Sequence, residues 1–292
     1  SSTQANQNLK GSAFFFKHSG AIYAITASHC LQPPLIPGSE IILSYRTPSL
    51  GLIANVWKLV GASKYMDIAV LEPSTPLSAS QAPETLSFAR SIPNIGDVSY
   101  VLGNPLGIDH ASISEGIVRD NAFFFRNNVR SIHTSSQSHS GSSGGPITNR
   151  EGEVIAILSA GPGDFESLSW GVSTIAMLPV ATEIIKSRRN YRAGSLRAKL
   201  NTPQPLYAIS NSLPSMNGVL VSESLNPLLK DKDFIVSIED QAVGSSSHMG
   251  QGLIPLSAGK NLRLKLYRDG KLISVFVECT AIAEGKETIL GA

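Results

Sequence analysis

Gly141-Ser142-Ser143-Gly144-Gly145-Pro146 ends a stretch, from Ser135 onward, built almost entirely of serine and glycine. Read plainly, such a stretch is a flexible linker, and flexibility would continue on either side. Instead a turn (Asn149 to Gly152) and an apolar run (Val154 to Leu158, VIAIL) follow at once. A nucleophilic serine needs its hydroxyl projected from a tight turn, with backbone N–H groups aimed at the oxyanion that develops during attack. Glycines permit that backbone and let a substrate approach closely. The spacing makes Ser143 the candidate nucleophile and the N–H groups of Gly141 and Ser143 the candidate oxyanion donors.

Outward from this turn the sequence reads as strand after strand. Apolar and β-branched runs occur at Ala21–Ala27, Ile41–Tyr45, Val56–Val60, Ile68–Leu71 and Val98–Leu102. Others follow at Ile113–Val118, Ala122–Phe125, Val129–Ile132, Val154–Leu158 and Trp170–Ile175, with turn residues such as Lys17–Gly20 and Pro93–Gly96 between runs. Many short strands with frequent turns predict an all-β sandwich or barrel. Helical period is clear only at Val180–Lys186. Residues 188–203 are basic and polar and read as a linker. Beyond them, strands are expected at Gly218–Val221, Asp233–Ile238, Leu262–Tyr267 and Leu272–Val277. The last two flank Asp269-Gly270, a strong hairpin signal because both central residues must accept positive φ.

Two further segments carry chemistry. In Ile25-Thr26-Ala27-Ser28-His29-Cys30 a histidine follows a strand on a turn of small residues, well placed to face a cleft. The chain has six histidines, and His133 and His139 lie closer to Ser143 in sequence, so context alone favours His29. In Met66-Asp67-Ile68-Ala69-Val70-Leu71 an aspartate leads an apolar strand. Alone it reads as a turn cap; in a triad it would orient the histidine and stabilise the imidazolium.

The order His29, Asp67, Ser143 and the segments TASHC, DIAVL and GSSGGP resemble trypsin-fold serine peptidases. Gly103–Gly107 (GNPLG), Ser114–Val118 (SEGIV) and Gly152–Ile157 (GEVIAI) resemble the HtrA (DegP-like) family of that fold. The resemblance runs from about Gly11 to Met177. It implies a trypsin-like double six-stranded β-barrel and an endopeptidase with a His-Asp-Ser triad, acting on unfolded or damaged proteins outside the cytoplasm. It also implies substrate contacts at Trp170, Gly171 and Val172, with Gly171 widening a pocket mouth. Departures occur where the family has Asn and this chain has Ser142, and at Ser138-His139-Ser140, which leaves side-chain preference open. The segment after residue 203 resembles the family's small α+β PDZ domain, with Leu206-Tyr207-Ala208-Ile209 matching its carboxylate-binding turn and Ala208 replacing a glycine. The resemblance thus implies a protease domain at 1–187, a linker at 188–203 and a PDZ-like domain at 204–292, with peptide or C-terminal ligands bound by strand addition.

Bulk composition limits the alternatives. With 292 residues and 42% hydrophobic content, about two cored domains are expected. A formal net charge of +2 gives no argument for nucleic acid. The basic stretch between Glu183 and Glu223, which holds no acidic residue, reads as a solvated linker. No stretch of 18 apolar residues predicts a transmembrane helix. Two cysteines, Cys30 and Cys279, make no disulfide framework, and free thiols are expected. No cofactor and no metal are expected. The competing readings are a latent protease fold acting as a peptide-binding or chaperone-like protein, and a PDZ scaffold. Homo-oligomerisation stays open, since the N-terminal segment lacks the aromatic residues that help family members trimerise.

Overall fold

A computed structural model describes residues 11–31, 36–104, 111–125, 129–160, 169–211, 213, 217–244 and 256–282. Part of the GNPLG motif, and His110 and His248, lie outside the described residues. The chain divides into two compact units: residues 1–123 with 131–191, and residues 192–292 with 124–130.

The first unit opens with β1 (Phe14–His18), β2 (Ala21–Thr26), β3 (Glu40–Thr47), β4 (Gly51–Ser63) and β5 (Ile68–Pro73). They form one antiparallel sheet in the order β1-β2-β5-β4-β3. The residues that alternate inward on β3, Ile41, Tyr45 and Thr47, are buried. They meet Trp57, Leu59, Ala69 and Leu71, with the Phe15 ring 4.9 Å from Tyr45 and 5.2 Å from Trp57. β6 (Val98–Gly103), β7 (Ser112–Phe125), β8 (Val129–Thr134), β9 (Pro146–Thr148), β10 (Val154–Ala160) and β11 (Ser169–Ser173) close into a six-stranded barrel, β10-β11-β8-β7-β6-β9. Val101, Val118, Ile132, Ile147, Ile155 and Leu158 fill it. The helix α1 (Thr174–Ser187) is longer than its expected core. Ala176, Met177, Val180, Ala181 and Ile184 bury one face, and the helix begins where Trp170–Ile175 was expected to continue as strand.

Gly171 is explained by packing. β11 is hydrogen-bonded to β10 on one side and β8 on the other, and a Cβ on Gly171 would meet the Ile157 carbonyl oxygen at 2.4 Å and Ile147 Cδ1 at 2.9 Å. Gly171→Ala should therefore destabilise the first unit by about 1–3 kcal/mol, the usual cost of overpacking. Urea unfolding measures it, and an unchanged midpoint would remove this explanation.

The second unit contains β12 (Gly194–Ser195), β13 (Ala198–Asn201), α2 (Pro205–Ser210), β14 (Val219–Ser224), β15 (Phe234–Ile238), β16 (Gln241–Ala242), β17 (Asn261–Arg268), β18 (Lys271–Glu278) and β19 (Thr280–Ala281). Its main sheet runs β13-β14-β15-β17-β18, with β16 on β15; β12 pairs β19. Val219, Val221, Ile235, Ile238, Leu264, Leu266 and Val277 form the core. Asp269 (φ 50°) and Gly270 (φ 73°) turn the β17–β18 hairpin as expected.

Two expectations are corrected here. Residues 188–203 are not a free linker. Arg188 pairs with Glu72, and Tyr191 N–H donates to the Ala62 carbonyl at 2.9 Å, within the first unit. Residues 194–201 supply β12 and β13 to the second, where sheet pairing satisfies their backbone groups. Leu206–Ile209 is not a turn but lies in α2, started by Pro205 in the first turn, which suits a residue without an N–H. Leu206 and Ile209 are exposed and Ala208 is buried.

The second unit also holds a buried ion pair. Asp233, 1% exposed at its side chain, accepts from Arg268 Nε at 2.7 Å and Nη2 at 2.6 Å, and from Lys230 N–H at 2.8 Å. Asp233→Ala removes these charge-assisted bonds, while Arg268, partly exposed, keeps its Nη2 bond to the Leu228 carbonyl at 2.9 Å, so the loss should be about 1–3 kcal/mol. In equilibrium denaturation the second unit's transition should move earlier by that amount; a loss below about 1 kcal/mol would contradict it.

Candidate active site

β2 ends at Thr26, and the next residues wind into one turn of 3₁₀ helix, Ser28–Cys30, that carries His29. Asp67 sits just before β5 in the left-handed region (φ 53°), which aspartate tolerates better than most residues. Its carboxylate is buried and fully engaged. Oδ1 accepts from the Ser28 hydroxyl at 3.0 Å and from the His29 N–H at 2.9 Å. Oδ2 accepts from His29 Nδ1 at 2.7 Å and from the Ser159 hydroxyl. Because a carboxylate only accepts, the imidazole proton is on Nδ1 and Nε2 is left as the basic nitrogen.

The hydrogen bond from Asp67 is the largest influence on His29. With a further contribution from the Cys30 side chain it raises the imidazole pKa above its ordinary value, against the opposing effect of burial. Burial is the largest influence on Asp67 and alone would push its carboxyl up. The hydrogen bonds and charge of His29, with the Ser159 hydroxyl, outweigh it and hold Asp67 below the ordinary carboxylate range.

Ser143 lies on the turn between the barrel strands β8 and β9, packed against the His29 segment. A Cβ on Gly144 would meet Thr26 Oγ1 at 2.3 Å and Ala27 N at 2.8 Å, and Cys30 Sγ lies 3.5 Å from the Ser143 carbonyl oxygen. Gly141 and Gly144 have positive φ, 97° and 86°. The turn holds its peptides alternately. Ser142 N–H donates to the His139 carbonyl at 2.9 Å, Gly144 N–H to Leu158 at 2.7 Å and Gly145 N–H to Ser142 at 2.9 Å. The N–H groups of Gly141 and Ser143 have no acceptor among the described residues, which is what an oxyanion site requires. Ser143 Oγ likewise has no hydrogen-bond partner among the described residues. Nucleophile–base bonds are often long before substrate arrives and tighten in the complex.

The structure thus brings together His29, Asp67, Ser143 and the Gly141 and Ser143 amides. The other expected site residues sit on other elements. Trp170, Gly171 and Val172 are buried in β11, whose two edges are taken by β10 and β8, so no substrate strand can add there. The Gly171 position reflects close backbone approach. Leu206–Ile209 belong to the second unit. His133, beside Ser143 in sequence, is on β8 with its ring 6.5 Å from that of Trp170. Sequence reasoning missed Ser159, Ser28 and Thr26. Ser159 was open to detection as a lone hydroxyl continuing the apolar run Val154–Leu158, a position where a buried polar group needs a partner. Both cysteines are free thiols, with Cys279 buried and its thiol pushed up to about 11 by that burial.

Comparison with known proteins adds three findings. The family of trypsin-like peptidase domains matches residues 11–157, half of the chain. The "Probable periplasmic serine endoprotease DegP-like" of Marinomonas sp. (strain MWYL1) is 28% identical over 94% of this chain and 58% of its own length. Its counterpart from Pseudomonas savastanoi pv. phaseolicola is 28% identical over 95% and 57%. The chain therefore spans a little over half the length of these relatives. Among solved structures, "HtrA-type protease AlgW with tripeptide" superposes with a TM-score of 0.68 at 22% identity, covering 94% of this chain and 89% of that one. A serine endoprotease from Yersinia pestis gives 0.56 at 18%, with the same coverage. At these identities the solved structures speak to the fold, which is that of HtrA-type proteases.

Proposed function

This chain belongs to the trypsin-like peptidase domain family, and on that footing we propose that it is a serine endopeptidase of the HtrA/DegP-like kind, working through Ser143, His29 and Asp67. The observation that carries the reading is the fully engaged Asp67 carboxylate on His29 Nδ1, together with a turn whose Gly141 and Ser143 N–H groups have no acceptor among the described residues.

The steps follow from these positions. Ser143 Oγ attacks the scissile carbonyl carbon while His29 Nε2 takes its proton. Asp67 keeps the ring oriented and stabilises the imidazolium. The Gly141 and Ser143 amides bind the oxyanion, each worth about 3–4 kcal/mol of transition-state stabilisation. His29 then gives its proton to the departing amine, leaving an acyl-enzyme. Water, deprotonated by His29, repeats the attack and frees Ser143.

The DegP-like relatives support two further parts of the proposal: unfolded or damaged polypeptides as substrates, and an extracytoplasmic place of action. Among the described residues no helix is long and apolar enough to cross a membrane. The second unit is proposed as a PDZ-like peptide-binding or regulatory module. The test is digestion of casein, an unstructured protein, by wild type and by Ser143→Ala, with the fragments identified by mass spectrometry. Fragments from wild type alone support the endopeptidase reading; intact casein with both proteins would sink it and turn attention to peptide binding.

A further inference from the structure

Ser12, just before β1, engages its N–H, its hydroxyl and its carbonyl at the nucleophile turn and its surroundings. Its N–H donates to the Ser143 carbonyl at 2.7 Å and its hydroxyl donates to the Gly141 carbonyl at 2.8 Å. The hydroxyl also accepts from the Asn104 N–H at 2.8 Å, and the Ser12 carbonyl accepts from the Thr26 hydroxyl at 2.7 Å. Ser12 is buried, and the approach is so close that a Cβ on Gly144 would meet the Ser12 carbonyl oxygen at 2.2 Å.

The bonds fall on particular peptides. The Gly141–Ser142 peptide is held at its carbonyl by the Ser12 hydroxyl and at its N–H by the His139 carbonyl. The Ser143–Gly144 peptide is held at its carbonyl by the Ser12 N–H and at its N–H by the Leu158 carbonyl. Between and beside these two doubly held planes lie the peptides of the Gly141 and Ser143 N–H groups, which have no acceptor among the described residues. The Ser142–Ser143 peptide, which presents the Ser143 N–H, is held at its own carbonyl by the Gly145 N–H at 2.9 Å, and the planes that Ser12 holds fix the α-carbons on either side of it.

We infer that Ser12 is a positioning residue for the oxyanion hole. Resting on the endopeptidase reading above, it sets the direction of the Gly141 and Ser143 amides without touching substrate. Thr26 acts through Ser12 by holding its carbonyl.

The experiment compares wild type, Ser12→Ala, Thr26→Val and Ser143→Ala on one peptide substrate, with the thermal midpoint of each. A variant that keeps both oxyanion donors but loosens them should lose less than the 10²–10³-fold of deleting a donor outright, so about tenfold in kcat is expected for Ser12→Ala. KM should move by less than about threefold, because the hole is filled only in the transition state. The inhibition constant of a peptide aldehyde, whose hemiacetal oxygen takes the oxyanion's place, should rise by the same factor as kcat falls. The acid limb of the pH profile, governed by His29 and Asp67, should not move. A structural role alone would lower the thermal midpoint without this split. Wild-type kcat in Ser12→Ala, or a loss confined to KM, overturns the inference. Should Ser12→Ala not fold, Thr26→Val, which keeps Ser12 itself and removes only the Thr26 hydroxyl at nearly the same volume, carries the test with a smaller fall in kcat expected and unchanged kcat overturning it. Inactive wild type would instead overturn the endopeptidase reading, so the two failures are distinct.

Discussion

Ser143→Ala should lower kcat on a cleavable peptide by on the order of 10⁶-fold while leaving the thermal midpoint close to that of wild type. The size follows from the chemistry. Without Oγ no acyl-enzyme forms, and the residual rate comes only from binding and the oxyanion donors. The retained fold follows from the structure: Ser143 Oγ carries no hydrogen bond among the described residues, whereas the backbone of its turn carries many. Removing the hydroxyl therefore breaks nothing that holds the turn. Cleavage persisting at more than about a hundredth of the wild-type rate would disqualify Ser143, and the adjacent Ser142 would be the first replacement. Ser142 is the weaker choice on geometry, because it is buried against Gly103, where an added Cβ would lie 2.8 Å from its Oγ.

Asp67→Asn should lower kcat by about 10⁴-fold, since the amide's N–H₂ end offers His29 the wrong partner and releases the ring to the wrong tautomer. The same substitution should shift the pH profile. The reaction needs neutral His29, so the rate falls as pH drops through the histidine's pKa. With Asp67 present that pKa lies above the reference value of about 6.5, and the acid limb should lie above it too. An unperturbed histidine would put the limb at about 6.5, and the hydrogen bond to Asp67 moves the expectation upward. Asp67→Asn removes the largest raising influence, so its weaker residual activity should persist to lower pH. A rate that is flat from pH 5 to 8 in wild type would exclude His29 as the base, and an unmoved limb in Asp67→Asn would exclude Asp67 as its partner.

Much of this was legible in the residues. The strands expected at Ala21–Ala27, Ile41–Tyr45, Ile68–Leu71 and Val154–Leu158 lie in β2, β3, β5 and β10, because apolar runs of that length, bounded by turn residues, have few other ways to bury themselves. Asp269-Gly270 marked its hairpin because positive φ is chemically selective. The short strands β1 and β9 escaped notice. Phe14–His18 has no clear boundary before it, and Pro146–Thr148 is three residues long and begins at the proline that closes the glycine turn.

The candidate site divides in the same way. His29, Asp67 and Ser143 stand out because each needs a special local setting: a turn after a strand, the head of a buried strand, a glycine turn. Their supports do not stand out. Ser12, Ser28, Thr26 and Ser159 are ordinary hydroxyl residues whose partners lie 14 to 129 positions away, so only the folded chain reveals them. Trp170–Val172 and Leu206–Ile209 are given by resemblance alone, and their local settings, strand pairing on both edges of β11 and helix formation in α2, were not legible in the residues.

The most direct test of the central claim is labelling with a fluorophosphonate that carries a reporter group, followed by mass spectrometry of the tagged peptide. The reagent phosphonylates a serine only where a base activates it and an oxyanion site receives its P=O oxygen. Labelling at Ser143 in wild type, and strongly reduced labelling in His29→Ala, is the predicted result. An unlabelled Ser143 in protein that is folded, or equal labelling with and without His29, would contradict the account.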